Sequence, residues 1–233
     1  MPGSKSFEQP HEVSPQPKVD FKSVLEKGEI ISAETLKGYF PIQIVRIKDD
    51  GNALFRPDSE DRGLRYDLEI LASRIDEILE FNLVPPVTFR NLEGNNGSMQ
   101  RFVEDAKPAA SLGEDWVSLV DSGELIKAAV FDYLVGASDR HRGNFLINFK
   151  TGKIWLIDHD HFNLIDKKMT LTPILWAALR EGPIKLSDDM QTKLRMLLVE
   201  TGSLEERAAP DIKQLVDSIR RRTQELIETG VLT

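Results

Sequence analysis

Residues 136–162, G-A-S-D-R-H-R-G-N-F-L-I-N-F-K-T-G-K-I-W-L-I-D-H-D-H-F, constrain this chain more than any other stretch. Two short runs of β-forming residues, 145–149 and 154–157, flank the turn Lys150-Thr151-Gly152-Lys153 and predict a hairpin. A polar loop precedes the hairpin and an acidic residue closes it. The loop carries Asp139 and Asn144 in the spacing D-x-x-x-x-N, and Asp158 ends the second strand. Three of the four histidines, His141, His159 and His161, fall in the same stretch. Asp139 to Asn144 alone has the composition of an ordinary turn. The acidic residue at the end of a following strand makes the pattern specific.

The rest of the chain divides in two around this feature. A short turn is expected over 32–38. The run 39–47 reads as a strand, Asp49-Asp50-Gly51-Asn52 as a hairpin turn, and Ala53 to Arg56 as the return strand, stopped by Pro57. A charged loop over 58–63 follows. Leu64, Leu68, Leu71, Ala72, Ile75, Ile78 and Leu79 recur at helical spacing, predicting a helix over 64–81 that Pro85-Pro86 ends. Residues 87–89 and 97–103 read as a second strand pair joined by E-G-N-N-G. After Pro108 helices dominate: 122–135, 172–180, 187–200, and a last one from Ser203 or Pro210 to Glu228. Ser187, ahead of Asp188-Asp189, is the expected N-cap of the third. The expected class is α+β, with a β-rich lobe of one helix and a mainly helical lobe that meet near 104–110. Residues 1–28 are expected to be a disordered leader, 29–106 the first lobe and 107–233 the second.

Composition removes several classes of function. With 233 residues, 40% of them hydrophobic, the chain can bury a sizeable core. The absence of cysteine excludes disulfides, thiolate catalysis and cysteine-bound zinc. A net charge of -8 argues against general binding to nucleic acid or anionic membranes. No apolar run reaches the length of a membrane span, and no secretory h-region stands at the start. A cytoplasmic location is expected, without excluding delivery into another cell.

The residue types around the hairpin suit phosphoryl transfer. The charge that develops on phosphate oxygens is neutralised by a metal held through hard oxygen ligands. Asn144 and Asp158 supply such oxygens, and Asp139 can take a proton from an acceptor hydroxyl. Arg140 or His141 could stabilise phosphate charge. D-R-H-R-G-N followed by I-D-H-D-H-F resembles the phosphoinositide 3/4-kinase-like superfamily, a group that includes atypical protein kinases. These kinases carry D-R-H-x-x-N and then I-D-F-G-H-F in the same order. Asp158 stands at the metal-binding Asp, His159 where Phe is usual and Asp160 where Gly is usual. His161-Phe162 matches the final pair.

The resemblance extends upstream and covers roughly residues 32–165. Lys37-Gly38-Tyr39-Phe40 looks like the end of a phosphate loop. Ala53-Leu54-Phe55-Arg56-Pro57 looks like the family's V-F-K-P, and Leu83-Val84-Pro85 like its L-V-P. Glu69 sits where the helix carries a paired glutamate, and Gln100-Arg101-Phe102-Val103 where the adenine-binding linker belongs. The resemblance implies a minimal two-lobe protein-kinase-like fold that uses ATP with magnesium, or manganese in its place. Lys37, Gly38, Arg56, Glu69, Gln100, Phe102 and Val103 would then contact the nucleotide, and Asn144 and Asp158 the metal. Asp139, Arg140 and His141 would serve the chemistry.

Arg56 departs from the family's lysine, and the exchange is not conservative. Arg56 can act as the phosphate clamp, Lys37 or Lys48 can supply an amine instead, or the chain is a nucleotide-binding pseudokinase. The acceptor expected for an active kinase is a protein Ser/Thr hydroxyl, with a phosphoinositide as the alternative. A metal-dependent phosphohydrolase built on Asp158, His159, Asp160 and His161 is a further alternative. Strand alternation puts those aspartates and histidines on opposite faces. Arg220-Arg221-Arg222 reads as a solvated helix face, with lipid phosphate as the sharper reading. Trp116, Trp155 and Trp176 read as packing residues.

Overall fold

A computed structural model describes residues 20–36, 41–58, 65–162, 173–179, 182–205 and 210–232. Lys37, Gly38, Tyr39, Phe40, the stretch 163–172, the charged loop from Ser59 and the side chain of Trp176 lie outside the described residues.

The first half is a five-stranded antiparallel sheet. Its strands are β1 (Ile30–Thr35), β2 (Gln43–Ile47), β3 (Gly51–Pro57), β4 (Val87–Leu92) and β5 (Asn95–Arg101), in the order β1-β2-β3-β5-β4. β2 and β3 are joined through the expected turn, with Asp49 and Gly51 both at positive φ. β4 and β5 turn more tightly than E-G-N-N-G suggests. Only Glu93 and Gly94 make the turn, at φ 51° and 87°, and both asparagines belong to β5. Two successive positive φ values match the right-handed twist of a two-residue hairpin.

Two expectations are corrected here. Ser32 to Thr35 do not form a turn (Lys37 and Gly38 lie outside the described residues), because Ile30–Thr35 forms the edge strand β1 on β2. Its residues are nearly all exposed, so it is held by its backbone ladder and carries no apolar alternation. Residues 1–19 lie outside the described residues, but the stretch 1–28 is not disordered at its end, because Phe21–Lys27 forms helix α1. Asp20 caps it by accepting the Ser23 N–H at 3.3 Å, and Leu25 is buried against the sheet.

Helix α2 (Tyr66–Leu79) runs between β3 and β4 and buries Leu68, Leu71, Ala72, Ile75 and Leu79. The second half opens with β6 (Lys107–Pro108) and two short 3-10 turns. Helix α3 (Ser122–Val135) follows, N-capped by Asp121 and ended by Gly136 at φ 69°. Strands β7 (Phe145–Asn148) and β8 (Lys153–Leu156) form the expected hairpin, with β6 added at the edge of β7. Helices α4 (Pro173–Leu179), α5 (Asp188–Glu205) and α6 (Pro210–Thr229) complete the lobe. The pair β9 (Ile184–Lys185) and β10 (Val231–Leu232) joins the start of α5 to the chain end. Ser187 caps α5 as expected, its Oγ accepting the Met190 N–H at 3.2 Å. Among the described residues no helix is long and apolar enough to cross a membrane.

The buried apolar residues form two separate cores. The small one lies under α1 on one face of the sheet: Leu25, Val45, Ile47, Ala53, Phe55, Leu92 and Met99. The large one joins α2 to α3, the β7–β8 hairpin, α5 and α6. Trp116 belongs to it, packed edge-on to Phe145 at 5.1 Å.

Candidate active site

The β7–β8 hairpin brings the polar loop and the D-H-D-H segment side by side. Ile157 N–H donates to the Asn144 carbonyl at 3.1 Å, Ser138 N–H to the His161 carbonyl at 3.4 Å, and Ala137 bridges to Phe162. Asp139 and Asp158, 19 positions apart by subtraction of their numbers, therefore flank one seam.

Asn144 is buried, and its side-chain amide donates to the Asp139 carbonyl at 2.9 Å. That bond orients the amide and leaves its oxygen as an acceptor. Asp158 stands at φ 65°, the left-handed region, with its side chain 36% exposed. A non-glycine residue held there signals a locally enforced geometry of the kind found at functional sites. Asp139 is exposed at the tip of the loop. His141 is exposed too, its Nδ1 accepting the Gly143 N–H at 3.0 Å.

Opposite this seam, Arg56 projects from β3. Its Nη1 donates to Glu69 at 2.9 Å and to Asp158 at 2.6 Å. Burial opposes the guanidinium charge, but Glu69 and Asp158 outweigh it and hold its pKa up. Burial likewise pushes the Glu69 carboxyl up, and the Arg56 charge and two His159 donors overcome it, bringing the group down to about 2. His159, fully enclosed, donates its backbone N–H to Glu69 at 3.0 Å and meets the other carboxylate oxygen through Nδ1 at 3.2 Å. Burial and the neighbouring Asp158 carboxylate raise the Asp160 carboxyl.

Arg140 is placed differently from expectation. Its side chain is 2% exposed. Nε and Nη2 bond Asp132, at 3.0 to 3.2 Å, while Nη1 donates to the Asn144 carbonyl and to the Ile157 carbonyl at 2.8 Å. Those bonds tie the loop to the strand before Asp158 and leave no guanidinium face for a phosphate. Asp132 was not singled out by the sequence reading. A lone acid inside the apolar run A-A-V-F-D-Y-L-V is the signal that could have found it.

Gln100 and Ser98 pair with Leu54 and Arg56 across β3 and β5, so all four share one face of the sheet. Phe102 and Val103 line a cavity of about 470 Å³ with Asn52, Pro86 and Trp155. Lys48 bonds Glu29 at 2.7 Å on the surface, at the turn end of β2. Arg56 lies five residues beyond Gly51, roughly 16 Å along β3, so Lys48 does not replace it. Lys37 and Gly38 lie outside the described residues. The basic triplet of α6 is not a solvated face throughout: Arg222 is buried and donates to the Leu134 carbonyl at 3.1 Å. Among the described residues no three His, Cys, Asp or Glu side chains converge on a metal position. His159 is turned to Glu69, so the phosphohydrolase reading lacks its donor set.

A β-sheet lobe bearing one paired helix, over a helical lobe bearing this loop and hairpin, is the architecture of a kinase. The fold is similar to the crystal structure of the Golgi casein kinase at TM-score 0.56 and 13% identity, over 89% of this chain and 74% of that one. It is also similar to the Helicobacter pylori proinflammatory kinase CtkA at TM-score 0.52 and 12% identity, over 88% of this chain and 95% of that one. The family model for phosphatidylinositol 3- and 4-kinase matches residues 73–227, and the chain belongs to that family. No curated protein matches the sequence.

Proposed function

We propose that the chain transfers the γ-phosphoryl group of ATP to a hydroxyl, and that the acceptor is a protein serine or threonine. The bridge from Arg56 to both Glu69 and Asp158 carries this reading. It sets a buried cation beside the Asp158 carboxylate of the seam. Arg56 would bind phosphate oxygens, with Glu69 fixing its position. The oxygens of Asn144 and Asp158 suit magnesium, a hard cation that takes its remaining ligands from phosphate and water. Bound there, magnesium would neutralise charge on the transferring group. Asp139, exposed at the loop tip, would accept the proton of the attacking hydroxyl. His141 would face the transferred phosphate, while Arg140 holds the loop. Protein is favoured over lipid because the net charge is -8 and the one basic triplet turns partly inward.

A non-catalytic nucleotide-binding role is the second reading. The 2.6 Å pair between Arg56 and Asp158 favours it, since it occupies the carboxylate a metal needs. A thermal-shift titration separates the cases. ATP with magnesium at 100 times its Kd adds about 2.7 kcal/mol of stability. The expected result is a magnesium-dependent rise in the wild type that Asp158→Ala loses. Label transfer from ATP to casein, set beside phosphatidylinositol vesicles, then identifies the acceptor. Binding without transfer to either supports the regulator.

A further inference from the structure

We propose that Asp160 is a positioning residue for Arg56. The inference rests on the reading of Arg56 as the phosphate-facing cation. Both anions on Arg56 bond the same nitrogen, Nη1. Among the described residues its Nε is buried without a partner, and so is Oγ of Ser98, paired with Arg56 across β3 and β5. A buried donor without an acceptor is costly, so such an atom is a sign of a further partner.

Arg56, Ser98, Glu69 and Asp160 wall a chamber of about 10 Å³. That is room for a single water. Glu69 is already engaged by Arg56 Nη1 and by both donors of His159. Asp160 is the remaining carboxylate of the chamber. Its side chain is 13% exposed and stands 3.8 Å from the exposed ring of His161. A rotation of either side chain, or one bridging water, joins Asp160 to Arg56 Nε.

One anchored nitrogen leaves the guanidinium plane free to swing. A second anchor on Nε fixes the plane, and with it the direction of the fork that meets phosphate. The second anchor matters most when Asp158 turns to another partner and Arg56 keeps only Glu69 on Nη1. A lysine at this position would have no Nε, so an acid at position 160 answers a need that arginine creates.

The first test uses the full chain without ligand, labelled with ¹⁵N. The Arg56 Nε–H resonance is assigned by its loss in Arg56→Lys. Asp160→Asn is expected to shift it and to speed its exchange with water; an unchanged resonance overturns the proposal. The second test is calorimetric titration with ATP and magnesium. Asp160→Asn is expected to weaken binding about 10-fold in the wild type and less than about 2-fold in the Arg56→Lys background. Equal weakening in both backgrounds overturns the proposal, as does tighter binding on loss of the negative charge. A wild type that binds no ATP sinks the nucleotide reading instead, and the resonance then decides the role of Asp160 by itself. Asp160→Gly is the second variant if the asparagine does not fold.

Discussion

Glu69 receives both hydrogen-bond donors of His159, the backbone N–H at 3.0 Å and ring Nδ1 at 3.2 Å, across 90 residues of sequence. The ring stands edge-on to Phe131 at 5.8 Å and Phe162 at 6.3 Å, so it is both packed and polar. His159→Phe keeps the packing and removes the ring donor. Glu69 then loses one partner while buried, and the protein is expected to lose about 1–3 kcal/mol by urea unfolding. A loss no larger than that of an exposed His141→Phe control would show that the bond contributes nothing.

Arg140 and Asp139 are neighbours with opposite expected signatures. Arg140→Met strands Asp132 as a buried unpaired charge, with an expected cost of about 3–5 kcal/mol and poor yield of folded protein. Asp139→Asn alters an exposed side chain, and stability is expected to change by less than about 0.5 kcal/mol. Under the proposed mechanism it lowers kcat by about 10²-fold or more while ATP affinity stays. Retained transfer in Asp139→Asn would remove it as the base.

Asp76 sets a pH dependence. Burial pushes its carboxyl up to about 6, although the Val84 and Leu83 N–H groups, each at 3.0 Å, pull it down. Its ordinary value is 3.8. Between those values the folded chain binds a proton that the unfolded chain has released, so this group's contribution to stability falls as pH rises. The shift corresponds to a total loss on the order of 3 kcal/mol, about 2 kcal/mol of it between pH 4 and 6. Asp76→Asn is expected to flatten that slope in urea unfolding measured across the window. An unchanged slope would place the titration elsewhere.

Gly97 pairs with Pro57, and a Cβ there would overlap the Arg56 carbonyl and the Phe55 ring. Gly97→Ala is expected to cost more than about 1 kcal/mol, because the backbone of β5 must move off β3. ATP affinity is expected to fall with it, since the strain falls on Arg56. A thermal midpoint and ATP affinity equal to wild type would show that the strands yield freely.

Helix α3 has the bounds 122–135 expected of it, and the β7–β8 hairpin differs by a residue or so at its strand ends. Local signals suffice there: a cap, a Gly stop and a turn between β-branched runs. The Arg56–Glu69 pair was also legible, because both residues sit in motifs with a known partner. Strand β1 was not, since its residues, I-I-S-A-E-T, are exposed on both faces and bury no apolar side that would enforce a strand alternation. Helix α1 was hidden by its seven-residue length, at which sequence pattern is weak and tertiary contact decides. The inward turn of Arg140 depends on Asp132, reached across a helix end, and no local spacing announces that pairing.

The two cores bear on how the molecule moves. Helix α2 shares the large core with α3, α5 and α6, and Val87 of β4 joins them, its N–H donating to Ser73 of α2 at 3.3 Å, whereas the rest of the sheet's small core packs with α1. Leu156 N–H also donates to the Leu83 carbonyl at 2.8 Å, fastening the segment after α2 to β8. Glu69 and His159, bonded to each other, stand beside this core, with the His159 ring against Phe131, while Arg56 reaches Glu69 from the sheet. The His159 amide should stay shielded from deuterium while loops and strand edges open locally and exchange only when the large core itself opens, which makes it a clock for that slower event.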